Sequence, residues 1–226
     1  MCGRYTHFYT WKEVHDYLSA FTLKPVELPK SYNVAPTQKA PVIRINAEGE
    51  KCIDLLRWGL IPSWAKDPKV ASSLINARGE TVATKPSFRS AFAKRRCIVP
   101  ASGFYEWKGT TAGKKQPYFI FSPDKTPLLF AGLWERWESP TKDVLETFTI
   151  VTTKANSALT NLHERMPIIL NPEQADVWLN PNAPLEEIAE ALKTATTLNL
   201  EYFPVSTAVN SPRKNSPECV ERIDIG

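Results

Sequence analysis

The sequence predicts an α+β fold in one domain spanning residues 1–226: a curved, mainly antiparallel, barrel-like β core with peripheral helices. Two observations carry this. The middle of the chain is crowded with short runs rich in β-branched and aromatic residues, separated by polar or proline-containing turns. These strands do not alternate regularly with long helices, which argues against a doubly wound parallel sheet. Proline (19 residues) outnumbers glycine (9), so connections are expected to be short and stiff, with no linker or internal repeat.

Taken in order, Thr10 and Glu13 form a T-x-x-E capping box, and Val14, Tyr17, Leu18 and Phe21 follow at helical spacing. An amphipathic helix is therefore expected from about residue 11, placing Cys2 just ahead of it. Residues 41–46 (PVIRIN) and 51–57 (KCIDLLR) flank the polar turn 47–50 as a β-hairpin. Further strands are expected at 96–99, 104–108, 117–122, 128–134 and 146–153. Helices are expected at 79–94, 155–162, 172–179 and 184–195, the last two opening at Asn171-Pro172 and Ala183-Pro184, where proline suits a first turn.

Composition narrows the function classes. Apolar residues at 42% and charged residues at 23% exclude disorder of the whole chain. No stretch approaches the roughly 20 apolar residues that span a bilayer, and the N-terminus has no apolar secretory segment, so a soluble intracellular protein is expected. Cys2, Cys52, Cys97 and Cys219 include no CxxC pair and are expected as reduced thiols, Cys52 and Cys97 in core strands. No HExxH, carboxylate-rich loop or GxxxxGK[ST] run is present, so neither a metal nor a cofactor is expected. A net charge of +4 permits a nucleic-acid partner without requiring one.

The most informative residue is Cys2. Loss of Met1 would leave an α-amine and a thiol two carbons apart, a 1,2-aminothiol. The amine titrates near about 8 and the thiol near about 8.5, so a nearby base can make either nucleophilic. An aldehyde can condense with the amine to an imine, on whose carbon the thiol closes a thiazolidine ring. A lone cysteine equally suits buried packing. Asn76 and Arg78 can orient an amine or sugar oxygen and fork a phosphate, or serve as a turn residue and a solvated charge. In the 104–108 strand, alternation sets Glu106 opposite Tyr105 and Trp107. A carboxylate among aromatics can have a raised pKa and trade protons near neutrality, though an outward-facing glutamate has the same pattern. Trp107 can stack on a base or pack on the core. Histidine is the default proton shuttle at neutral pH, and in an extended segment Arg165 would point the same way as His163, beside Met166-Pro167. His7 and His15 have no such setting.

Together, Met1-Cys2-Gly3-Arg4-Tyr5, Tyr32-Asn33-Val34-Ala35-Pro36-Thr37, Trp58-Gly59-Leu60-Ile61-Pro62, Ile75-Asn76-Ala77-Arg78-Gly79-Glu80-Thr81, Gly103-Phe104-Tyr105-Glu106-Trp107 and His163-Glu164-Arg165-Met166-Pro167 resemble the SRAP family. These are the SOS response-associated peptidases, which include abasic-site sensors. The motifs follow the family's order and reach the Pro204-Val205-Ser206 region. The resemblance implies a single SRAP domain that binds single-stranded DNA and captures abasic sites through the mature N-terminal cysteine. It makes Cys2 the crosslinking nucleophile, Asn76 the amide that orients its α-amine, Glu106 the acidic residue and His163 the histidine of the site. It places Arg4, Arg78 and Arg165 around the DNA backbone, implicates Trp107 in DNA binding, and sets Asn33 and Trp64 in motifs lining the same groove. It also implies removal of Met1 and an abasic-site lyase side reaction. The expected protein is a monomer, cytoplasmic and nucleoid-associated when on DNA, with no membrane partner. Two rivals remain: a thiol peptidase using Cys2, His163 and Glu106, and a non-covalent single-strand binder.

Overall fold

The computed structural model describes residues 2–18, 27–109, 113, 115–195 and 198–225. In chain order these form β1 (Tyr5–His7), α1 (Trp11–Leu18), β2 (Ser31–Val34), β3 (Lys39–Ile45), β4 (Lys51–Trp58), β5 (Asn76–Arg78), α2 (Arg89–Lys94), β6 (Arg96–Ala101), β7 (Gly103–Gly109), β8 (Lys115–Phe121), β9 (Leu128–Glu138) and β10 (Val144–Lys154). There follow β11 (Arg165–Pro167), β12 (Ile169–Leu170), α3 (Pro172–Leu179), α4 (Leu185–Thr194) and β13 (Glu201–Pro204), with short 3-10 turns at Pro68–Ser73, Thr207–Asn210 and Pro217–Val220.

Five strands close on themselves in the order β10-β4-β3-β6-β9, the ring being completed by the β9–β10 hairpin. All these pairings are antiparallel except β10 with β4. Closure removes the free edges that an open sheet would expose. The short strands β5 and β11 add to β10, and β12 adds to β9. A second sheet runs β13-β8-β7-β1-β2.

The period-2 pleat sorts residues into two cores. On one face Val42, Trp58, Cys97, Val99, Phe130 and Phe148 pack with Cys2 and with Tyr5, Phe104 and Ile120 of the second sheet. On the other, Ile43, Ile98, Ala131 and Leu133 pack with residues of all four helices, among them Val14, Phe92, Trp178 and Ile188. Gly132 permits close approach at the β6–β9 contact: a Cβ there would lie 2.9 Å from Cys97 Sγ.

The long strands fall where the apolar runs predict them, and α1, α3 and α4 form; Phe21 lies outside the described residues. Two expected helices are corrected. Of residues 79–94 only 89–94 are helical. The preceding stretch is a chain of turns closed by Lys85 N–H to Thr81 O and Phe88 N–H to Lys85 O, because Pro86 disfavours a helical Lys85 and brings no N–H of its own. Residues 155–162 also form turns rather than a helix. Polar side chains there bond the local backbone: Leu159 N–H donates to Asn156 Oδ1, and Thr160 Oγ1 donates to Asn156 O.

Arg96, 5% exposed within β6, joins the helices to the barrel. Its guanidinium donates to Phe92 O and Ala93 O near the end of α2, and to Trp178 O and Asn180 O at the end of α3, over 2.6–2.8 Å. A cation at two helix C-termini satisfies carbonyls that helices leave open and complements their dipoles. Arg96→Leu is expected to lower unfolding free energy by about 3 kcal/mol, since it strands several buried acceptors. Urea denaturation checks this, and a loss under about 1 kcal/mol would contradict the role.

Candidate active site

The site begins with strand pairing. β1 lies between β7 and β2, with Tyr5 opposite Phe104 on one side and Val34 on the other. Ser102 N–H to Thr6 O (2.9 Å) and Tyr105 N–H to Arg4 O (3.0 Å) extend this ladder, so the residues before Tyr5 are drawn into the protein. Cys2 is fully buried. Asn76, at the start of β5, donates from Nδ2 to the Cys2 carbonyl at 2.8 Å. Its Oδ1 is buried and has no hydrogen-bond partner among the described residues. Burial, and then the neighbouring Glu106 carboxyl, push the Cys2 thiol well above its ordinary range, so at rest it is protonated.

Glu106 is 4% exposed, on the strand where alternation placed it, and the outward-facing alternative does not hold. Burial raises its carboxyl, with His163 acting in the opposite sense. Glu106, Trp107, Lys115, His163 and Asn210 line an open pocket of about 440 Å³. His163 Nδ1 lies 2.9 Å from the Arg165 N–H and 3.1 Å from the Arg165 carbonyl, so the backbone at Arg165 fixes the ring. Glu106 and His163 thus share the pocket's lining, and Cys2, with Asn76 bonded to its carbonyl, lies buried near enough for Glu106 to act on its thiol.

The other expected residues divide. Arg4 donates from one nitrogen to Asn33 Oδ1 and Val209 O, both at 2.7 Å, and its guanidinium lies 6.0 Å from the Trp107 ring centre. Asn33 is buried, its Nδ2 donating to Val209 O, Ser211 O and Lys214 O; it faces Arg4 and the C-terminal segment rather than solvent. Trp107 is half-buried and donates from Nε1 to Asn210 Oδ1 at 2.7 Å. Arg78 is exposed, and Trp64 stands 64% exposed. Arg165 differs from the expectation. The chain bends at Glu164, and the buried Arg165 fork grips both oxygens of Glu80 at 2.6 and 2.9 Å and the Thr152 carbonyl at 2.7 Å. It does not share the pocket's lining with His163. Lys115, Asn210 and the Glu80 partner of Arg165 were not anticipated from the sequence; a lysine in a polar run and an asparagine after a valine carry no local signal. Among the described residues no group of three metal-ligating side chains occurs, and no helix is long and apolar enough to cross a membrane.

A family profile described as SOS response associated peptidase (SRAP) matches residues 1–212. The chain belongs to the SRAP family. It is 42% identical over 223 residues to the abasic site processing protein YoqW of Bacillus subtilis (strain 168), covering 98% of this chain and 99% of the relative. It is 36% identical over 228 residues to the abasic site processing protein HMCES of Gallus gallus, covering 87% and 67%. An X-ray structure of a Bacteroides thetaiotaomicron protein shares the fold with a TM-score of 0.82 at 29% identity, covering 98% of this SRAP chain and all of the other.

The buried glutamate has a consequence for stability. Its folded-state pKa is raised, so the native state holds the proton more tightly than the unfolded chain does. The associated stability is present below the unfolded value of about 4.3 and is lost as pH rises through the folded value. Glu106→Gln cannot ionise and is therefore expected to be more stable than wild type at pH 7, with the gap closing as pH falls toward about 4. Thermal melts across that range check this; a gap independent of pH would contradict it.

Proposed function

We propose that this SRAP chain captures abasic sites in single-stranded DNA as a covalent thiazolidine through Cys2, shielding the lesion in the response to DNA damage. The observation that carries this is the buried Cys2, tethered by Asn76 and close enough to Glu106 for that carboxyl to act on its thiol, with Glu106 and His163 together lining one pocket. The printed names of its relatives, abasic site processing proteins, support the substrate class.

The chemistry follows from the residues. Removal of Met1 hydrolyses the Met1–Cys2 amide and frees the α-amine, through either the chain's own peptidase activity or an aminopeptidase. The open acceptor Asn76 Oδ1 suits that amine, and a positive charge on the amine lowers the adjacent thiol's pKa. His163 donates a proton to the ring oxygen of the abasic sugar as the C1′–O4′ bond breaks and the C1′ hydroxyl gives up its proton to water, which exposes the C1′ aldehyde. The amine adds to C1′, Glu106 relays the protons, and water leaves to give an imine. Addition of the thiol sulfur to the same carbon, with its proton passing to the imine nitrogen, closes the ring; the net change is loss of one water. If C2′ loses a proton first, the 3′ phosphate departs by β-elimination, an abasic-site lyase reaction.

Arg78 and Arg4 are the strand's phosphate contacts, with Trp107 and Trp64 as stacking surfaces. Asn33 contributes by holding Arg4 in place, and Arg165 by fixing the backbone that carries His163. The protein acts as a cytoplasmic monomer that joins the nucleoid on DNA. A thiol peptidase acting on other proteins is less well supported, because burial disfavours the thiolate and the polar contact of Cys2 Sγ is the Arg4 carbonyl, at 3.9 Å.

A labelled single-stranded oligonucleotide with one abasic site, resolved on a denaturing gel, tests the assignment. Wild type is expected to shift the strand and Cys2→Ala to leave no stable shift. Glu106→Gln and His163→Ala are expected to slow adduct formation by about 10²-fold. A stable shift with Cys2→Ala, or with an intact strand, would overturn the mechanism.

A further inference from the structure

The C-terminal segment supplies part of the pocket wall. The 3-10 turn Thr207–Asn210 is capped by Ser206, whose Oγ accepts the Ala208 N–H at 3.2 Å. Val209 is fully buried against Tyr105, Phe119 and Cys219, and its carbonyl receives both Arg4 and Asn33. The ends of the segment are tied down by Gln116 Nε2 to Val205 O (2.8 Å) and Asn33 Nδ2 to Lys214 O (2.6 Å). A turn held at this many points can fix whatever its exposed side chains touch. The next residue, Asn210, grips the edge of the Trp107 indole, while the Arg4 guanidinium lies over the ring.

Lys115 lines the same pocket at the start of β8. It pairs with Gly109, which offers no side chain, and sits diagonally across from Trp107, whose own partner is Pro117. It is exposed. An exposed ammonium beside a half-buried indole is the arrangement that holds one nucleotide of a single strand: the cation takes the phosphate and the ring takes the base.

We infer that Lys115 binds a phosphodiester of the strand next to the captured nucleotide, and that Asn210 is a positioning residue which presents the Trp107 indole to a neighbouring base. The inference rests on the single-strand reading above and adds two residues and the C-terminal turn to that site.

The test uses the full chain and a single-stranded oligonucleotide carrying a tetrahydrofuran abasic analogue, which has no aldehyde, so binding stays reversible. Anisotropy titrations run from 50 to 200 mM salt, with adduct formation on a true abasic strand measured in parallel. Each phosphate contact on a single strand contributes about 0.7 to the log–log salt slope. Lys115→Gln is expected to bind more weakly at low salt with a slope shallower by about 0.7, so its deficit narrows about 2.5-fold across the range. Lys193→Gln, on α4, is expected to match wild type. Asn210→Ala is expected to raise Kd about threefold with the slope unchanged, and to have no further effect in Trp107→Phe, which lacks the N–H. Equal slopes for Lys115→Gln and wild type, or an undiminished Asn210→Ala effect in Trp107→Phe, would overturn the inference while adduct formation persists. Absence of both adduct and salt-dependent binding in wild type would overturn this inference and the single-strand reading together.

Discussion

Pairing of β1 on both sides, with β7 and with β2, is the constraint on which the site depends. A strand paired on one side only would leave the first residues to fray, as chain termini commonly do. Here the backbone up to Arg4 is held by the β7 ladder, Tyr5 packs edge-on to Trp58 and Phe130, and Cys2 is carried into the core that joins the two sheets. The partner strand β7 also bears Glu106 and Trp107. One antiparallel pairing therefore sets the sulfur, the carboxylate and the indole relative to each other. Gly103 is required at its start, because a Cβ there would lie 2.4 Å from the Phe119 ring.

Holding these groups out of water costs stability. The thiol and the carboxyl are both shifted toward their neutral forms by burial, and the Asn76 carbonyl oxygen has no partner among the described residues. Such unmet polar groups are tolerated where the surroundings are well determined. The closed barrel supplies that rigidity beneath the site, and Arg96 locks α2 and α3 to the barrel's helical side. The Arg4–Asn33–Val209 network does the same for the C-terminal turn. The arrangement sets a carboxyl whose pKa burial raises beside a thiol that burial keeps protonated.

The long strands were legible because each buries enough β-branched and aromatic surface to announce itself locally, as in 128–134 and 146–153. Strands of two to four residues, such as β5, β11 and β12, were not, since their pairing comes wholly from tertiary neighbours. The turn chains at 79–88 and 156–162 mimic helical spacing over one or two turns, and local polar bonds or Pro86 decide against it. At the site, alternation set Glu106 apart from Tyr105 and Trp107 but could not say which face was buried. Arg165 read as a surface clamp because its partner Glu80 lies 85 residues away in the chain, and Asn33 read as a groove residue because the carbonyls it serves lie at 209–214. Long-range partners of polar side chains leave no trace in nearby sequence.

The most direct test of the account is the intact mass of the purified protein before and after incubation with a single-stranded oligonucleotide bearing one abasic site, followed by fragmentation of the product. The account predicts a protein lacking Met1 that gains the mass of one oligonucleotide less one water, with the added mass on Cys2. A protein lacking Met1 whose mass does not change, or an adduct carried by any other residue, would contradict it.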